Sequence, residues 1–423
     1  MDKIVIQGGV PLKGTVPVRG AKNAALPILF ATLLGRGRSV IKGVPYLRDI
    51  NSAILILREL GMTCERRKDG AIEVEADDDS RFTVPWEQMR KMRASICALG
   101  PLLARRRRAR VSQPGGCVLG VRPIDLHLKG LSALGADIRN EHGFIDARAE
   151  RLRGSTVFLG GPFGSSVLGT ANTLMAAVLA KGTTVIECAA CEPEVADLAG
   201  FLSAMGAKIR GAGTPRMEVE GVEDLECCEY TIIPDRIEAG TFMIAAALTG
   251  GDVIIEGAKP DHLAALIDVM QQMGVQLSIE DGSIRVRSRG PANSVDVTTL
   301  PYPGYPTDLQ AQIMAYLSVA NGIGVITEKI YPDRFIHIAE LARMGARIRK
   351  EGPSAIITGV KKLSGAQVMA SDLRASASLL LAGLVASGLT EVHRIYHLDR
   401  GYERIEERLG SLGAMIRREP EEE

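Results

Sequence analysis

A hydrophobic pattern with the period of an α-helix recurs along this chain. In one copy Leu198, Phe201, Leu202 and Met205 stand at i, i+3, i+4 and i+7, which places four apolar side chains on one helix face. Each copy ends at a glycine followed by a short strand-like stretch, and the copies lie about 70 residues apart, as expected for a duplicated module. A glycine just past a last helical turn favours a left-handed cap. The predicted cap glycines are Gly61, Gly135, Gly206, Gly274, Gly345 and Gly413.

A second kind of helix is predicted in each module, rich in small residues and apolar nearly all round. Examples lie at 169–180, 240–248 and 374–387. Such a helix is typical of a buried position. The pattern in each module therefore predicts a strand, a buried helix, a second strand, an amphipathic helix and a third strand, in that order. Six modules contain more residues than one hydrophobic core can hold, because such cores stop growing near ~250–300 residues. We expect an α/β protein with two domains of three repeats, divided near Tyr230.

Composition argues against several classes of partner. Lys+Arg number 51 against Asp+Glu 50, and this balance offers no bulk electrostatic attraction for nucleic acid or for a membrane surface. A run of arginines at 105–110 raises an RNA-binding alternative. Aromatic residues make up only 4% and do not alternate with this run, so we interpret it as a solvated loop. No apolar run reaches the ~18–20 residues of a membrane span.

The cysteines and the N-terminus predict a cytoplasmic protein. Seven cysteines form no even disulfide framework, which favours a reducing compartment. The first residues lack the apolar core of a signal peptide. Six scattered histidines without an HExxH motif predict no metal site, and no GxxxxGK[ST] phosphate loop is present.

The second repeat carries an insertion that the other repeats lack. The extra residues fall at 114–120 and include Cys117 among glycines, with Arg122 shortly after. Glycine-rich insertions are typical of mobile active-site loops. A neighbouring guanidinium would favour the thiolate of Cys117. We therefore predict that Cys117 is reactive and that the other cysteines are structural.

Charged residues stand near the predicted starts of the buried helices. Helix N-termini attract anions through their free N–H groups and their dipole. Arginine binds phosphate and carboxylate through its bidentate fork. We expect a pocket for a polyanion that bears both groups. The predicted cationic residues are Lys22, Arg93, Arg122, Arg374 and Arg400.

Six separated motifs resemble one known family in the same order. They are 20–27 (GAKNAALP), 92–95 (MRAS), 114–126 (PGGCVLGVRPIDL), 306–312 (PTDLQAQ), 372–378 (DLRASAS) and 399–404 (DRGYER). The chain resembles the enolpyruvyl transferases, and among them the UDP-N-acetylglucosamine 1-carboxyvinyltransferase family. The similarity runs from the first residue to about 418.

The resemblance implies a fold and a reaction. The fold would be a two-domain inside-out α/β barrel of six βαβαβ-type repeats, with one domain at 22–230 and the other at 1–21 plus 231–423. The reaction would join phosphoenolpyruvate to the 3-hydroxyl of UDP-N-acetylglucosamine and release phosphate, the first committed step of peptidoglycan synthesis. No cofactor, metal or obligate protein partner is implied, and fosfomycin would be an inhibitor.

The resemblance also implies roles for single residues. Cys117 would protonate the methylene carbon, Asp308 would take the proton of the sugar hydroxyl, and Asp372 would assist proton handling. Phosphoenolpyruvate would be held by Lys22, Asn23, Arg122, Arg374 and Arg400. The nucleotide sugar would contact Asn23, Arg93, Arg122, Pro123, Ile124, Asp125, Leu126, Ser166, Val167, Asp308 and Ile330. After Val167 this chain has Leu168 where the family usually has glycine.

Two alternatives stay open. A related enolpyruvyl transferase could use another hydroxyl acceptor, such as shikimate 3-phosphate, although that branch lacks the cysteine loop. A catalytically silent regulator could bind the nucleotide sugar without turnover. Intact Lys22, Cys117, Asp308 and Arg400 argue against such a loss of activity.

Overall fold

The computed structural model describes residues 2–89, 92–113 and 124–421. The chain divides into two compact units, which we call the N-terminal unit (20–113 and 124–233) and the C-terminal unit (2–19 and 234–421). Each unit has its own hydrophobic core. None of the helices in the described ranges is both long enough and apolar enough to cross a bilayer.

Three helices are buried along all or most of their length in the N-terminal unit, because small and apolar residues dominate their surfaces. They are α1 (Lys22–Ala31), α4 (Leu99–Arg106) and α6 (Val167–Ala177). The other helices of this unit are α2 (Arg48–Glu59), α3 (Trp86–Met89), α5 (Asp125–Ala133) and α7 (Pro193–Ala204). The 3-10 turns of this unit are Thr32–Leu34 and Arg93–Ala98.

The C-terminal unit repeats this arrangement. Its buried helices are α8 (Arg236–Leu248), α10 (Gln310–Leu317) and α12 (Leu373–Val385). Its outer helices are α9 (Ala264–Gln272), α11 (His337–Arg343) and α13 (Ile405–Ser411). The 3-10 turns are Pro260–His262, Thr307–Leu309 and Ile395–Arg400.

Three four-stranded sheets surround the buried helices of the N-terminal unit, with one order throughout: a strand parallel to its neighbour, then two antiparallel strands. The first sheet is β16 (Glu229–Thr231), β3 (Arg38–Lys42), β5 (Ile72–Ala76) and β4 (Met62–Arg66). The second is β6 (Thr83–Val84), β7 (Arg108–Ser112), β9 (Phe144–Arg148) and β8 (Asp137–Glu141). The third is β10 (Thr156–Phe158), β13 (Thr183–Glu187), β15 (Arg216–Glu220) and β14 (Lys208–Arg210), and β11 (Gly160–Gly161) pairs with β12 (Gly164–Ser165).

The C-terminal unit has the same sheet order three times. Its sheets are β2 (Lys13–Pro17), β17 (Asp252–Glu256), β19 (Ser283–Arg287) and β18 (Gln276–Glu280); β20 (Val297–Thr299), β21 (Ile323–Glu328), β23 (Ser354–Thr358) and β22 (Arg347–Glu351); and β24 (Gln367–Met369), β25 (Leu389–His393), β1 (Asp2–Gln7) and β26 (Met415–Pro420). The first two strands of the chain thus pair with strands from its second half.

The predicted α/β class with buried helices is confirmed, and so are the cap glycines: all six have φ between 81° and 105°. Most repeats carry one strand more than the sequence predicted, because the stretch after the cap glycine is a hairpin such as β4–β5. The turn signal for this hairpin, Asp69-Gly70, is typical of tight turns, and Gly70 has a φ of 87°.

Candidate active site

Lys22 begins α1 and is buried. Its Nζ lies 3.2 Å from Oδ2 of Asp49, a buried residue in the first turn of α2. The chain reaches this point through Gly20, where a β-carbon would stand 2.0 Å from the carbonyl oxygen of Gly43. Glycine is therefore required at position 20 to bring Lys22 into place, and Asn23 follows half-buried at the start of the helix.

His127, in the same unit, is influenced by the charge of Arg93. Burial, and then the charge of Arg93, lower the pKa of His127 to about 3. Asn172 orients the ring: its amide oxygen accepts from Gly100 N at 2.8 Å, so its Nδ2 donates to His127 Nδ1 at 2.8 Å. His127 is thus a neutral imidazole whose free N–H is on Nε2. Neither His127 nor Asn172 was among the predicted site residues.

Five of the predicted nucleotide-sugar residues of this unit lie at the starts of α5 and α6. Ile124 precedes α5, and Asp125 and Leu126 form its first turn. The Ser166 hydroxyl caps α6 by accepting from Gly169 N at 3.1 Å, and Val167 follows it. A β-carbon at Gly169 would lie 3.5 Å from Leu126 Cβ, so the starts of α5 and α6 are in van der Waals contact.

Asp308 is the centre of an ion-pair cluster in the C-terminal unit. Its Oδ1 accepts from Arg334 at 2.9 Å and its Oδ2 accepts from Arg374 at 3.1 Å. The arginine side chains are 5% and 2% exposed, whereas the Asp308 side chain is 26% exposed. The carboxylate thus lies at the solvent-facing end of two buried cations. Sequence analysis missed Arg334, which no motif singled out.

Arg374 has hydrogen-bonding capacity left over. Only one of its terminal nitrogens donates to Asp308, and within the described ranges its Nε and Nη1 have no acceptor although they are buried. The guanidinium also stands 5.3 Å from the ring centroid of Tyr402. The Tyr402 hydroxyl in turn contacts Thr241 Oγ1 at 2.8 Å. Buried guanidinium N–H groups without acceptors favour an anionic ligand at this position.

Asp372 caps α12. Its carboxylate accepts from Arg374 N at 2.8 Å and from Ala375 N at 3.1 Å, which accounts for the aspartate that the sequence placed at a helix start. Burial lowers the pKa of His337 to about 4, and the negative charge of Asp372 acts in the opposite direction. A capping role is therefore established by geometry, and the predicted proton-handling role stays a prediction.

Arg400 and Ile330 complete the predicted set in this unit. Arg400 ends the 3-10 turn Ile395–Arg400 and is half-buried. Burial, and then the charge of Arg400, lower the pKa of His397. Ile330 follows β21, and its backbone N–H donates to Glu328 at 2.8 Å.

The residue pattern matches known proteins along almost the whole chain. The family model described as EPSP synthase (3-phosphoshikimate 1-carboxyvinyltransferase) matches residues 6–409. The UDP-N-acetylglucosamine 1-carboxyvinyltransferase of Desulfosudis oleivorans is 54% identical over 418 residues, covering 99% of each chain. The protein of the same name from Methylacidiphilum infernorum is 53% identical over 418 residues, with the same coverage. This chain belongs to the UDP-N-acetylglucosamine 1-carboxyvinyltransferase family.

Solved structures agree with this family at the level of the fold. The enolpyruvyl transferase NikO from Streptomyces tendae is similar with a TM-score of 0.88 and 26% identity, covering 99% of this chain and 98% of that one. An EPSP synthase from Acinetobacter baumannii is similar with a TM-score of 0.76 and 21% identity, covering 99% and 100%. The fold is the two-domain inside-out α/β fold of enolpyruvyl transferases.

Three predicted site residues of this enzyme family, Cys117, Arg122 and Pro123, lie outside the described residues. The six other cysteines are free thiols. Burial raises the pKa of Cys64 and of Cys97 to about 12, which agrees with a structural role.

One cysteine pair was overlooked in the sequence analysis. Cys188 and Cys191 have a Cys-x-x-Cys spacing, which alone is typical of redox or metal sites. Burial raises the pKa of the Cys191 thiol, and within the described ranges no third ligand forms a metal site with the pair.

The arginine run does not form the solvated loop that the sequence predicted. Its first residues lie in the last turn of α4, and Arg108 and Arg110 lie in β7. Arg105 pairs with Asp224 at 2.7 Å. Arg108 stacks 4.1 Å from the ring centroid of Phe82, and Arg110 4.6 Å from that of Phe144. These guanidinium groups are engaged within the fold, because β7 carries them past neighbouring aromatic rings.

Proposed function

We propose that this chain transfers the enolpyruvyl group of phosphoenolpyruvate to the 3-hydroxyl of UDP-N-acetylglucosamine, with release of phosphate. The observation that carries the proposal is the Asp308 carboxylate, held at 2.9 Å and 3.1 Å by two buried arginines, one of which keeps buried N–H donors without acceptors. A partly exposed base beside a cation with unsatisfied N–H groups suits a hydroxyl that must be deprotonated next to an anionic substrate.

The reaction is an addition followed by an elimination. In the addition, the sugar oxygen bonds to C2 of phosphoenolpyruvate, its proton passes to Asp308, and Cys117 delivers a proton to the C3 methylene. The resulting tetrahedral species keeps its phosphate and carboxylate. In the elimination, a proton passes from C3 back to the Cys117 thiolate, the C2–C3 double bond forms again, and the C2–O bond to phosphate breaks. The proton taken up by Asp308 leaves with the phosphate. Every atom is conserved, and the balance requires neither an oxidant nor a metal ion.

The cations act on the negative charge of both substrates. Lys22, Arg122 and Arg400 would hold phosphoenolpyruvate, with Asn23 and Arg374 beside them. Fixed charges stabilise the tetrahedral species without having to reorganise during the reaction. Asp49, which neutralises Lys22 at 3.2 Å, would keep that ammonium group in one position before substrate arrives.

The nucleotide sugar would bind along the contacting starts of α5 and α6. Arg93, Arg122 to Leu126, Ser166 and Val167 would contact it, together with Asp308 and Ile330. We further propose a place in peptidoglycan synthesis, in the cytoplasm, since the product is a nucleotide-linked enolpyruvyl sugar.

Phosphate release tests the proposal. Purified protein is incubated with phosphoenolpyruvate alone, with UDP-N-acetylglucosamine added, or with shikimate 3-phosphate added instead. Release that depends on UDP-N-acetylglucosamine and resists EDTA supports the proposal. Release only with shikimate 3-phosphate would assign the other acceptor, and binding of the nucleotide sugar without any release would identify a silent regulator.

Fosfomycin supplies an independent test of Cys117. This epoxide phosphonate mimics phosphoenolpyruvate and alkylates a reactive thiol. We expect one adduct, located at Cys117 by peptide mass spectrometry and formed faster with UDP-N-acetylglucosamine present. An adduct on another cysteine, with Cys117 unmodified, would contradict the assignment.

A further inference from the structure

Glu328 is a fully buried carboxylate that the proposed reaction does not use. It ends β21, where the parallel register places it opposite Thr299, the last residue of β20. Its Oε1 accepts from Thr299 Oγ1 at 2.6 Å, from Ile330 N at 2.8 Å and from Tyr331 N at 2.9 Å. Its Oε2 accepts from Thr307 Oγ1 at 2.8 Å. The side chain therefore receives four hydrogen bonds, from the end of β20, from the loop after β21 and from the 3-10 turn Thr307–Leu309.

The direction of these hydrogen bonds is fixed by their donors. Arg334 can only donate, and its Nη1 lies 3.0 Å from Thr307 Oγ1 and 2.9 Å from Asp308 Oδ1. The Thr307 hydroxyl must therefore accept from Arg334 and donate to Glu328. A continuous chain of hydrogen bonds runs from Glu328 through Thr307 and Arg334 to Asp308. In each of these hydrogen bonds only one of the two groups can be the donor.

The repeat itself does not demand this burial. Glu256 ends the equivalent strand β17 and is exposed, and Glu187 ends β13, is half-buried and pairs with Arg216. Burying a carboxylate is costly unless hydrogen bonds replace its water. Among these equivalent carboxylates, the buried one is the one joined to Asp308.

We propose that Glu328 and Thr307 are positioning residues for the reaction proposed above, on which this inference rests. Glu328 Oε1 holds the backbone at Ile330, a predicted contact of the nucleotide sugar. Glu328 Oε2 acts through Thr307 and Arg334 on the orientation of the Asp308 carboxylate. One buried side chain thus sets both the sugar-binding loop and the base.

The two branches make separate kinetic predictions. Thr307→Val keeps the volume and removes the hydroxyl, so kcat should fall by about tenfold to a hundredfold with KM for UDP-N-acetylglucosamine nearly unchanged. Thr299→Val acts on the other branch, so KM for the nucleotide sugar should rise by about threefold to tenfold with a smaller change in kcat. Glu328→Gln keeps one amide oxygen, which can still accept from Thr299, Ile330 N and Tyr331 N, and places its NH2 group against Thr307. It should therefore show the kcat loss of Thr307→Val with a smaller change in KM.

Two controls separate positioning from general damage. Thr307→Ser keeps the hydroxyl and should retain kcat within about twofold. Glu256→Gln changes the exposed carboxylate at the equivalent strand end and should leave both constants at the wild-type values. Circular dichroism and thermal unfolding establish that each variant is folded under assay conditions.

The outcomes distinguish this inference from the proposed function. The positioning role is overturned if a folded Thr307→Val protein has the wild-type kcat, or if Thr307→Ser is as impaired as Thr307→Val. In either case the proposed function stands as long as the unmodified protein is active. A wild-type protein without any phosphate release dependent on UDP-N-acetylglucosamine overturns both. The expected split of kcat and KM between the two threonine variants supports it.

Discussion

Replacement of Asp308 should remove most of the activity while leaving a folded protein. Asp308→Asn keeps one oxygen that can accept from either Arg334 or Arg374, and places an NH2 group against the other. Loss of a general base lowers turnover by roughly 10²–10⁴, which corresponds to about 3–5 kcal/mol in the activation free energy. Asp308→Ala should show at least the same loss of turnover.

Stability should respond differently in the two variants. A hydrogen bond to a charged group contributes roughly 1.5–3 kcal/mol, so Asp308→Asn should lower the free energy of unfolding by about 2 kcal/mol. Asp308→Ala removes both acceptors from two buried guanidinium groups and should cost about 3–5 kcal/mol. The cost is limited because the carboxylate itself is 26% exposed and partly solvated.

The assay is phosphate release at saturating concentrations of both substrates, with binding of UDP-N-acetylglucosamine measured by calorimetry. Asp252→Asn is the matched control, since Asp252 also accepts from two arginines, at 2.7 Å from Arg285 and 2.9 Å from Arg287, but on β17 and partly exposed. It should retain wild-type turnover. A folded Asp308→Asn protein with turnover within about threefold of wild type would refute the assignment of the base.

Three further predictions concern other residues. His127→Asn should lose less stability than wild type between pH 6.5 and 5, by about 2 kcal/mol, because the folded pKa near 3 lies below the unfolded value and the unfolded ring alone gains a proton. An equal loss in urea titrations would contradict this. Gly20→Ala should lower the free energy of unfolding by about 3 kcal/mol. Gly410→Ala should not lower it, because a β-carbon there would lie 4.0 Å from its nearest neighbour, and equal melting temperatures of the two variants would contradict this. Cys117→Asp should retain measurable phosphate release yet resist fosfomycin, because a carboxylic acid also donates protons; normal alkylation would contradict this.

The sequence predicted those parts of the molecule that follow local rules. The cap glycines and buried helices were found because periodicity and backbone conformation leave a direct trace in the chain. Residues at the starts of α5 and α6 were singled out through the family resemblance, and the structure places Leu126 beside Gly169. The hairpin strands were missed because a turn such as Asp69-Gly70 lies inside a short polar stretch.

The partners of the site residues could not be predicted. Asp49 lies 27 positions from Lys22, and Arg334 lies 26 positions from Asp308. Such pairs form only when separate strands and helices pack, and a single sequence holds no record of which ends meet. Glu328 illustrates the limit, since Glu256 has the same place in its repeat and a different environment.

The pairing of β1 and β2 has a consequence for synthesis on the ribosome. The partners of these strands begin at residue 252 and extend to residue 420. At roughly 5–20 residues per second, the first strands emerge about 12–80 s before their partners exist. The N-terminal unit, whose strands lie between residues 38 and 231, is complete sooner. A released chain of residues 1–240 should therefore be protected from proteolysis in the helices and strands of the N-terminal unit while its first 17 residues are still cleaved.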